Sequence, residues 1–198
     1  MVSSAFKPAV NKFIEPIARL AIKAGVTPNA VTLGGTIGTA LSALYFYPKG
    51  ELFIGTLFIV FFALSDLFDG AIARLSEKGA SAWGGFLDST CDRVTDSVIL
   101  GSLTIYCILD DQAIYPVIIV TLVLGFLVPY IRAKAEAFGI SCTVGIAERT
   151  ERLIIALTAI GFHGLGVPYI LPVLMWALLA LSAITVVQRI VVVYRGLA

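Results

Sequence analysis

Asp66, Asp69, Asp88, Asp92 and Asp96 all fall within one stretch, SDLFDGAIARLSEKGASAWGGFLDSTCDRVTD. Asp66 and Asp69 are spaced i, i+3, and Asp88, Asp92 and Asp96 are spaced i, i+4. On helices, each set shares one face. Carboxylates gathered this way bind hard cations through oxygen alone, and no histidine or thiol stands at a spacing suited to a softer ion. The chemistry indicated is a site for Mg²⁺, Mn²⁺ or Ca²⁺, with one ion or a pair. Interhelical salt bridges and hydrogen bonds are the plainer alternative, and for Asp96 alone they are the preferred reading.

The surroundings sharpen the point. The acidic stretch lies between two apolar runs, LFIGTLFIVFFAL and SVILGSLTIYCIL. The chain has 198 residues, of which 59% are hydrophobic and 14% charged, and its mean hydropathy is +0.96. A soluble domain of this length carries far more charge. An aspartate inside a bilayer costs about 2.5–3.5 kcal/mol even on lenient scales, and like charges brought together cost more. Arg74 and Arg93 are near in sequence, but two arginines do not neutralise so many converging carboxylates. A bound divalent cation offsets the cost. The net charge of +1 carries little information beside the distribution of charge, and no nucleic-acid partner is expected.

A spanning helix needs about 20 mostly apolar residues. The hydropathy pattern predicts an all-α membrane bundle of six spans, over 29–47, 52–75, 82–109, 113–138, from 148 to the GLGVP segment, and 169–195. Thr27 is the predicted cap of the first, with Pro28 in its first turn. No polar linker divides the chain, so a single domain over 1–198 is expected, with the bundle over 27–198. Residues 1–25 read as an amphipathic helix lying in the membrane interface. Lys7, Asn11, Glu15, Arg19 and Lys23 recur every four residues beside an apolar stripe of Phe6, Val10, Phe13, Ile17 and Leu20. Packing against another protein is the alternative for that helix. The segment lacks the apolar core and small-residue cleavage site of a signal peptide.

Of the 14 Lys and Arg residues, all but Lys49 fall on or near the side that receives both termini and the 2–3 and 4–5 loops. Basic residues stay in the cytoplasm. Both termini and the site are therefore expected on the cytoplasmic side of a multi-pass cell-membrane protein. At 1.5 Å per residue, Asp66 and Asp69 lie about 21 and 25 Å from the outer end of helix 2. Asp96, Asp92 and Asp88 lie about 20, 25 and 31 Å from the outer end of helix 3. The two sets overlap in depth, in the cytoplasmic third of the hydrocarbon. Cys91, Cys107 and Cys142 are expected to be free buried thiols, and His163 a packing or interfacial residue.

The run Asp66-Leu-Phe-Asp69-Gly70-Ala-Ile-Ala73-Arg74, then nine residues, then Gly84-Gly-Phe-Leu-Asp88-Ser-Thr-Cys-Asp92, resembles the signature of the CDP-alcohol phosphotransferase family. The six spans, the interfacial helix and the TPNAVT opening also look like that family. The resemblance implies an enzyme that moves a phosphatidyl group from CDP-diacylglycerol to an alcohol and releases CMP. It implies that Asp66, Asp69, Asp88 and Asp92 hold two divalent ions, Mg²⁺ or Mn²⁺, and that Asp92 is the general base. By the same resemblance Asn29, Thr32, Asp69, Gly70, Ala73, Arg74, Ser81 and Gly84 contact the CDP-lipid, and the enzyme is a homodimer in the lipid bilayer.

The acceptor is read from the ends of helices 4, 5 and 6. Arg132, Lys134, Arg149, Arg152, Arg189 and Arg195 form a basic set suited to phosphate oxygens, which indicates a water-soluble phosphorylated alcohol. Attraction to anionic lipid headgroups is the alternative. Arg149 and Arg152 open a helix, where the dipole disfavours cations, so another factor must place them there. YIRAKAE and ERTERL look similar to actinobacterial phosphatidylinositol phosphate synthases of this family, whose acceptor is inositol phosphate. Glycerol 3-phosphate, the acceptor of a phosphatidylglycerophosphate synthase, is the close rival. Two other classes compete. An aspartate-rich membrane prenyltransferase is usually longer and lacks the Gly-Ala-Arg arrangement. A divalent-cation transporter is usually symmetric in its acidic sets.

Overall fold

The computed structural model describes residues 15, 16, 19, 20, 22–64, 68, 71, 72, 75 and 81–198. Among the described residues the regular structure is helical. Helix α1 is Pro28–Phe46, followed by a 3₁₀ turn at Tyr47–Lys49, and α2 is Leu52–Ala63. Then come α3, Ala82–Leu109; α4, Tyr115–Ala137; α5, Arg149–Gly164; and α6, Ile170–Leu197. The start of α1 is capped as predicted, with the Ala30 amide 3.2 Å from Thr27 Oγ1. Phe68, Ala71, Ile72 and Leu75, beyond α2, are also helical. The predicted interfacial helix lies mostly outside the described residues; within it, Arg19 Nη2 donates to Glu15 Oε1 at 2.7 Å.

Among the described residues, three helical segments are long and apolar enough to cross a membrane: Pro28–Lys49, Tyr115–Ala137 and Ile170–Leu197. Two of the other predicted spans fall short for physical reasons. Helix α3 carries Asp88, Asp92, Arg93 and Asp96 within its first half. Helix α5 is only 16 residues long; the predicted span over 52–75 lies partly outside the described residues, with α2 described over 12. Large apolar side chains such as Ile119 and Val123 on α4, and Val173, Trp176 and Val187 on α6, stay exposed. That suits a hydrocarbon solvent.

The chain divides into two compact units, Met1–Leu41 with Phe58–Thr95, and Ser42–Leu57 with Asp96–Ala198. In the first unit, buried Ala71 and Ile72 pack with Ile22, Val31, Phe68 and Leu75. Gly38 faces the Phe62 ring so closely that a methyl group there would collide with it.

In the second unit α6 packs against α4 and α5. Its buried positions include Leu171, Met175, Leu178, Ser182, Thr185 and Arg189, with Val186 beside them. Alternating steps of four and three keep these side chains on one stripe. The stripe turns from apolar to polar at Ser182, which matters for the site described below. At the other end of the unit, α5 meets the start of α2. A Cβ on Gly164 would lie 2.5 Å from the Phe53 backbone nitrogen and 2.9 Å from Leu52 Cβ. Gly164→Ala is therefore expected to cost about 1–3 kcal/mol through overpacking, read as a lower unfolding temperature in detergent. Gly101, with open space where its Cβ would stand, is the control: Gly101→Ala should hold or raise stability. Equal melting of Gly164→Ala and the parent would mean that α5 and α2 do not approach this closely.

Near that end the α3–α4 turn is tied to α5. Gln112 Nε2 donates to Asp110 Oδ2 at 2.8 Å and lies 3.2 Å from His163 Nε2. The Tyr106 hydroxyl donates to Asp110 Oδ2 at 3.2 Å, and its ring meets the His163 ring edge-on. His163 is thus a packing residue, as expected. Cys91, Cys107 and Cys142 are free and buried.

Candidate active site

The sequence signature and the basic set fall in different units. Asn29, Thr32, Ser81, Gly84, Asp88 and Asp92 belong to the first, and Arg132, Lys134, Arg149, Arg152, Arg189 and Arg195 to the second.

In the first unit Ser81 precedes α3, and its Oγ accepts a 2.9 Å hydrogen bond from the Gly84 amide. This is an N-cap bond, which satisfies one of the free amides of the first helical turn. A Cβ on Gly84 would stand 3.1 Å from Ser81 Oγ and 3.3 Å from Asn29 Oδ1. Glycine is what lets the starts of α1 and α3 come together, and it leaves an amide oxygen and a hydroxyl beside bare backbone. Three residues expected at the CDP moiety therefore converge. Thr32 is buried, and its hydroxyl bonds back to Pro28 O at 3.1 Å. Asp66, Asp69, Gly70, Ala73 and Arg74 lie outside the described residues.

Asp88 and Asp92 stand one turn apart on α3. Asp88 is exposed and Asp92 half-buried, with Asp92 Oδ2 3.3 Å from Arg93 Nη2. Among the described residues no group of three or more acidic, histidine or cysteine side chains gathers as a metal cage. The chemistry of the described pair, carboxylate oxygen alone, fits a hard divalent cation.

In the second unit the basic residues sort into two groups. Arg132, Lys134 and Arg195 are exposed. Arg132 pairs with Glu136 one turn on, at 2.9 Å, and the Lys134 ammonium sits 5.2 Å over the Phe138 ring. Arg149, Arg152 and Arg189 are more enclosed, and Arg152 and Arg189 bond the connector between α4 and α5. Arg149 Nε lies 3.6 Å from Asp96 Oδ1, and Arg152 Nη2 lies 3.8 Å from Asp96 Oδ2. Both distances are too long for good hydrogen bonds but close enough for strong attraction. Asp96 is the factor that holds two arginines at a helix start against its dipole, and its salt-bridging role is the one expected from the sequence. Arg152 is only 7% exposed, and its Nη1 donates to Ala147 O at 3.1 Å. Arg189, 4% exposed, donates from Nε to Val144 O at 2.9 Å and from Nη1 to Val128 O at 2.6 Å.

Sequence reasoning missed the connector's role. Nothing in a basic residue's type tells whether its guanidinium is directed to main-chain carbonyls. The one available signal was the polar end of the α6 stripe, Ser182, Thr185 and Arg189, since buried polar groups require partners.

Comparison with known proteins identifies the family. A family model described as CDP-alcohol phosphatidyltransferase matches residues 25–188. The chain belongs to the CDP-alcohol phosphatidyltransferase family. As a member of that family it is a phosphatidyl-transferring enzyme. Its similarity to a phosphatidylinositol phosphate synthase of Streptomyces avermitilis is 42% identity over 193 residues, covering 93% of this chain and 79% of that protein. For the synthase of Corynebacterium glutamicum the identity is 41%, covering 93% and 85%. The crystal structure of the Mycobacterium tuberculosis phosphatidylinositol phosphate synthase in complex with manganese and citrate matches with a TM-score of 0.87 at 38% identity, covering 91% of this chain and 88% of that one. The same enzyme with CDP-DAG bound matches with a TM-score of 0.84.

Proposed function

We propose that this CDP-alcohol phosphatidyltransferase takes the phosphatidyl group of CDP-diacylglycerol and places it on inositol phosphate, giving phosphatidylinositol phosphate and CMP. The observation that carries the acceptor assignment is the enclosed pair of arginines, Arg149 and Arg152, held beside Asp96. The names of the similar proteins support the same choice. Two guanidiniums that open onto a helix start suit a phosphate dianion. In the reaction the Asp92 carboxylate takes the proton of the acceptor hydroxyl. The freed oxygen bonds to the lipid-linked phosphorus, the bond from that phosphorus to the CMP oxygen breaks, and CMP leaves with the electron pair. Asp66, Asp69, Asp88 and Asp92 are the residues that would hold divalent ions, Mg²⁺ or Mn²⁺, and such ions neutralise phosphoryl charge when bound. Asn29, Ser81 and Gly84, with Thr32, Gly70, Ala73 and Arg74, are assigned to the CDP moiety. Arg132, Lys134 and Arg195 are assigned to drawing the anionic acceptor inward.

The enzyme is further read as one membrane domain of six spans with an interfacial N-terminal helix. Both termini and the site face the cytoplasm, a placement supported by the near-total segregation of basic residues from Lys49. The homodimer rests on the family resemblance.

The test is CMP release from CDP-diacylglycerol by the purified enzyme with Mg²⁺ or Mn²⁺, run in parallel with inositol phosphate and with glycerol 3-phosphate. Faster turnover with glycerol 3-phosphate would replace the acceptor assignment. Arg152→Ala is expected to raise the acceptor KM by about 10- to 100-fold, the loss of one or two charge-assisted hydrogen bonds, with the donor KM nearly constant. Equal rises in both would reduce Arg152 to a structural role.

A further inference from the structure

Thr185 lies on α6, 0% exposed, and belongs to none of the residue sets assigned above. Its hydroxyl has one proton and two lone pairs, and the surroundings use both functions. Oγ1 donates to Leu181 O at 2.9 Å, one turn back on α6. It also accepts from the Ala147 amide at 3.1 Å. Ala147 is itself 0% exposed, so its main-chain groups find no water. Its N–H is taken by Thr185, and its C=O is taken by Arg152 Nη1. A single buried peptide residue therefore joins α6 to the guanidinium assigned to the acceptor phosphate.

Two neighbours fix the register of this contact. Gly145 has φ +149°, and a Cβ there would stand 2.7 Å from Thr185 Cγ2. Only glycine adopts that backbone at low cost and lets the connector lie against the threonine methyl. Val144 O is held by Arg189, one turn further along the same stripe of α6. The connector is thus bonded to α6 on both sides of Gly145. The free energy of a phosphate–arginine contact depends on the guanidinium being already oriented, and the orientation of Arg152 depends on where Ala147 O stands.

We propose that Thr185 is a positioning residue for acceptor binding, acting through Ala147 on Arg152. The inference rests on the assignment of Arg152 to the acceptor phosphate. Thr185→Val keeps the shape but neither donates nor accepts, so the buried Ala147 amide loses its acceptor and the connector shifts to satisfy it. The full-length enzyme, reconstituted with CDP-diacylglycerol and Mn²⁺, is assayed with inositol phosphate. The expected result for Thr185→Val is an acceptor KM about tenfold higher, the typical consequence of one unsatisfied buried group, with the donor KM unchanged. Thr185→Ser keeps the hydroxyl and restores the acceptor KM. Amide exchange of the 140–148 connector rises in the valine variant and returns in the serine variant.

Arg152→Ala run alongside separates the two ways of failing. If it raises the acceptor KM and Thr185→Val does not, the relay is overturned while the acceptor assignment stands. If Arg152→Ala leaves the acceptor KM unchanged, that assignment falls and this inference with it. A matching rise in donor KM, or a serine variant as poor as the valine, would show that Thr185 serves folding alone.

Discussion

Asp92→Asn is expected to lower turnover by about 10²–10⁴-fold, the range contributed by a positioned general base, while CDP-diacylglycerol still binds. The amide keeps the size of the side chain and one oxygen for a cation, but it does not accept a proton from a hydroxyl. The half-buried setting of Asp92 beside Arg93 leaves little room for water to stand in for the lost base. The measurement pairs CMP release with equilibrium binding of the donor lipid. Retained turnover would remove Asp92 from proton transfer. Loss of donor binding together with turnover would reassign it to holding the ions against which the diphosphate rests.

Removal of divalent cations should have the larger effect. A preparation stripped with chelator is expected to fall to background and to recover on addition of Mn²⁺ or Mg²⁺, because oxygen-only donors hold such ions reversibly. The underlying argument is one of charge. On the proposed assignment, carboxylates of the family signature share the site with an anionic diphosphate, and like charges brought together inside a membrane are costly. Divalent ions held by those carboxylates would supply the positive charge that offsets this repulsion. Full activity in the stripped enzyme would refute the metal assignment for Asp66, Asp69, Asp88 and Asp92 together.

The helices were largely legible in the sequence, for reasons visible in individual residues. Helix α3 runs from Ala82 to Leu109, the limits predicted, because Ser81 caps its start and Asp110 and Asp111 end the apolar run. Helices α4, α5 and α6 begin and end within two residues of expectation. Helix α4 starts later than predicted because Pro116 suits the first turn and is poor deeper within a helix. Asn29, Ser81 and Gly84, which the resemblance assigns to the donor, lie together. The aspartates of helix 2 lie outside the described residues. The basic set was legible only as charge. Its division into the exposed Arg132, Lys134 and Arg195 and the enclosed Arg149, Arg152 and Arg189 depends on where Asp96 and main-chain carbonyls of α4 and the connector stand, and backbone direction leaves no trace in residue type.

Those carbonyls carry one last implication. Three arginine hydrogen bonds, from Arg152 to Ala147 O and from Arg189 to Val144 O and Val128 O, end on main chain rather than on carboxylates. The identity of the accepting residue is therefore immaterial to the bond, and only its bulk is constrained. Across diverging copies of this enzyme, positions 128, 144 and 147 are free to drift among residues of similar volume while Arg152 and Arg189 stay put. Covariation between those arginines and any acidic partner at the three positions should be absent.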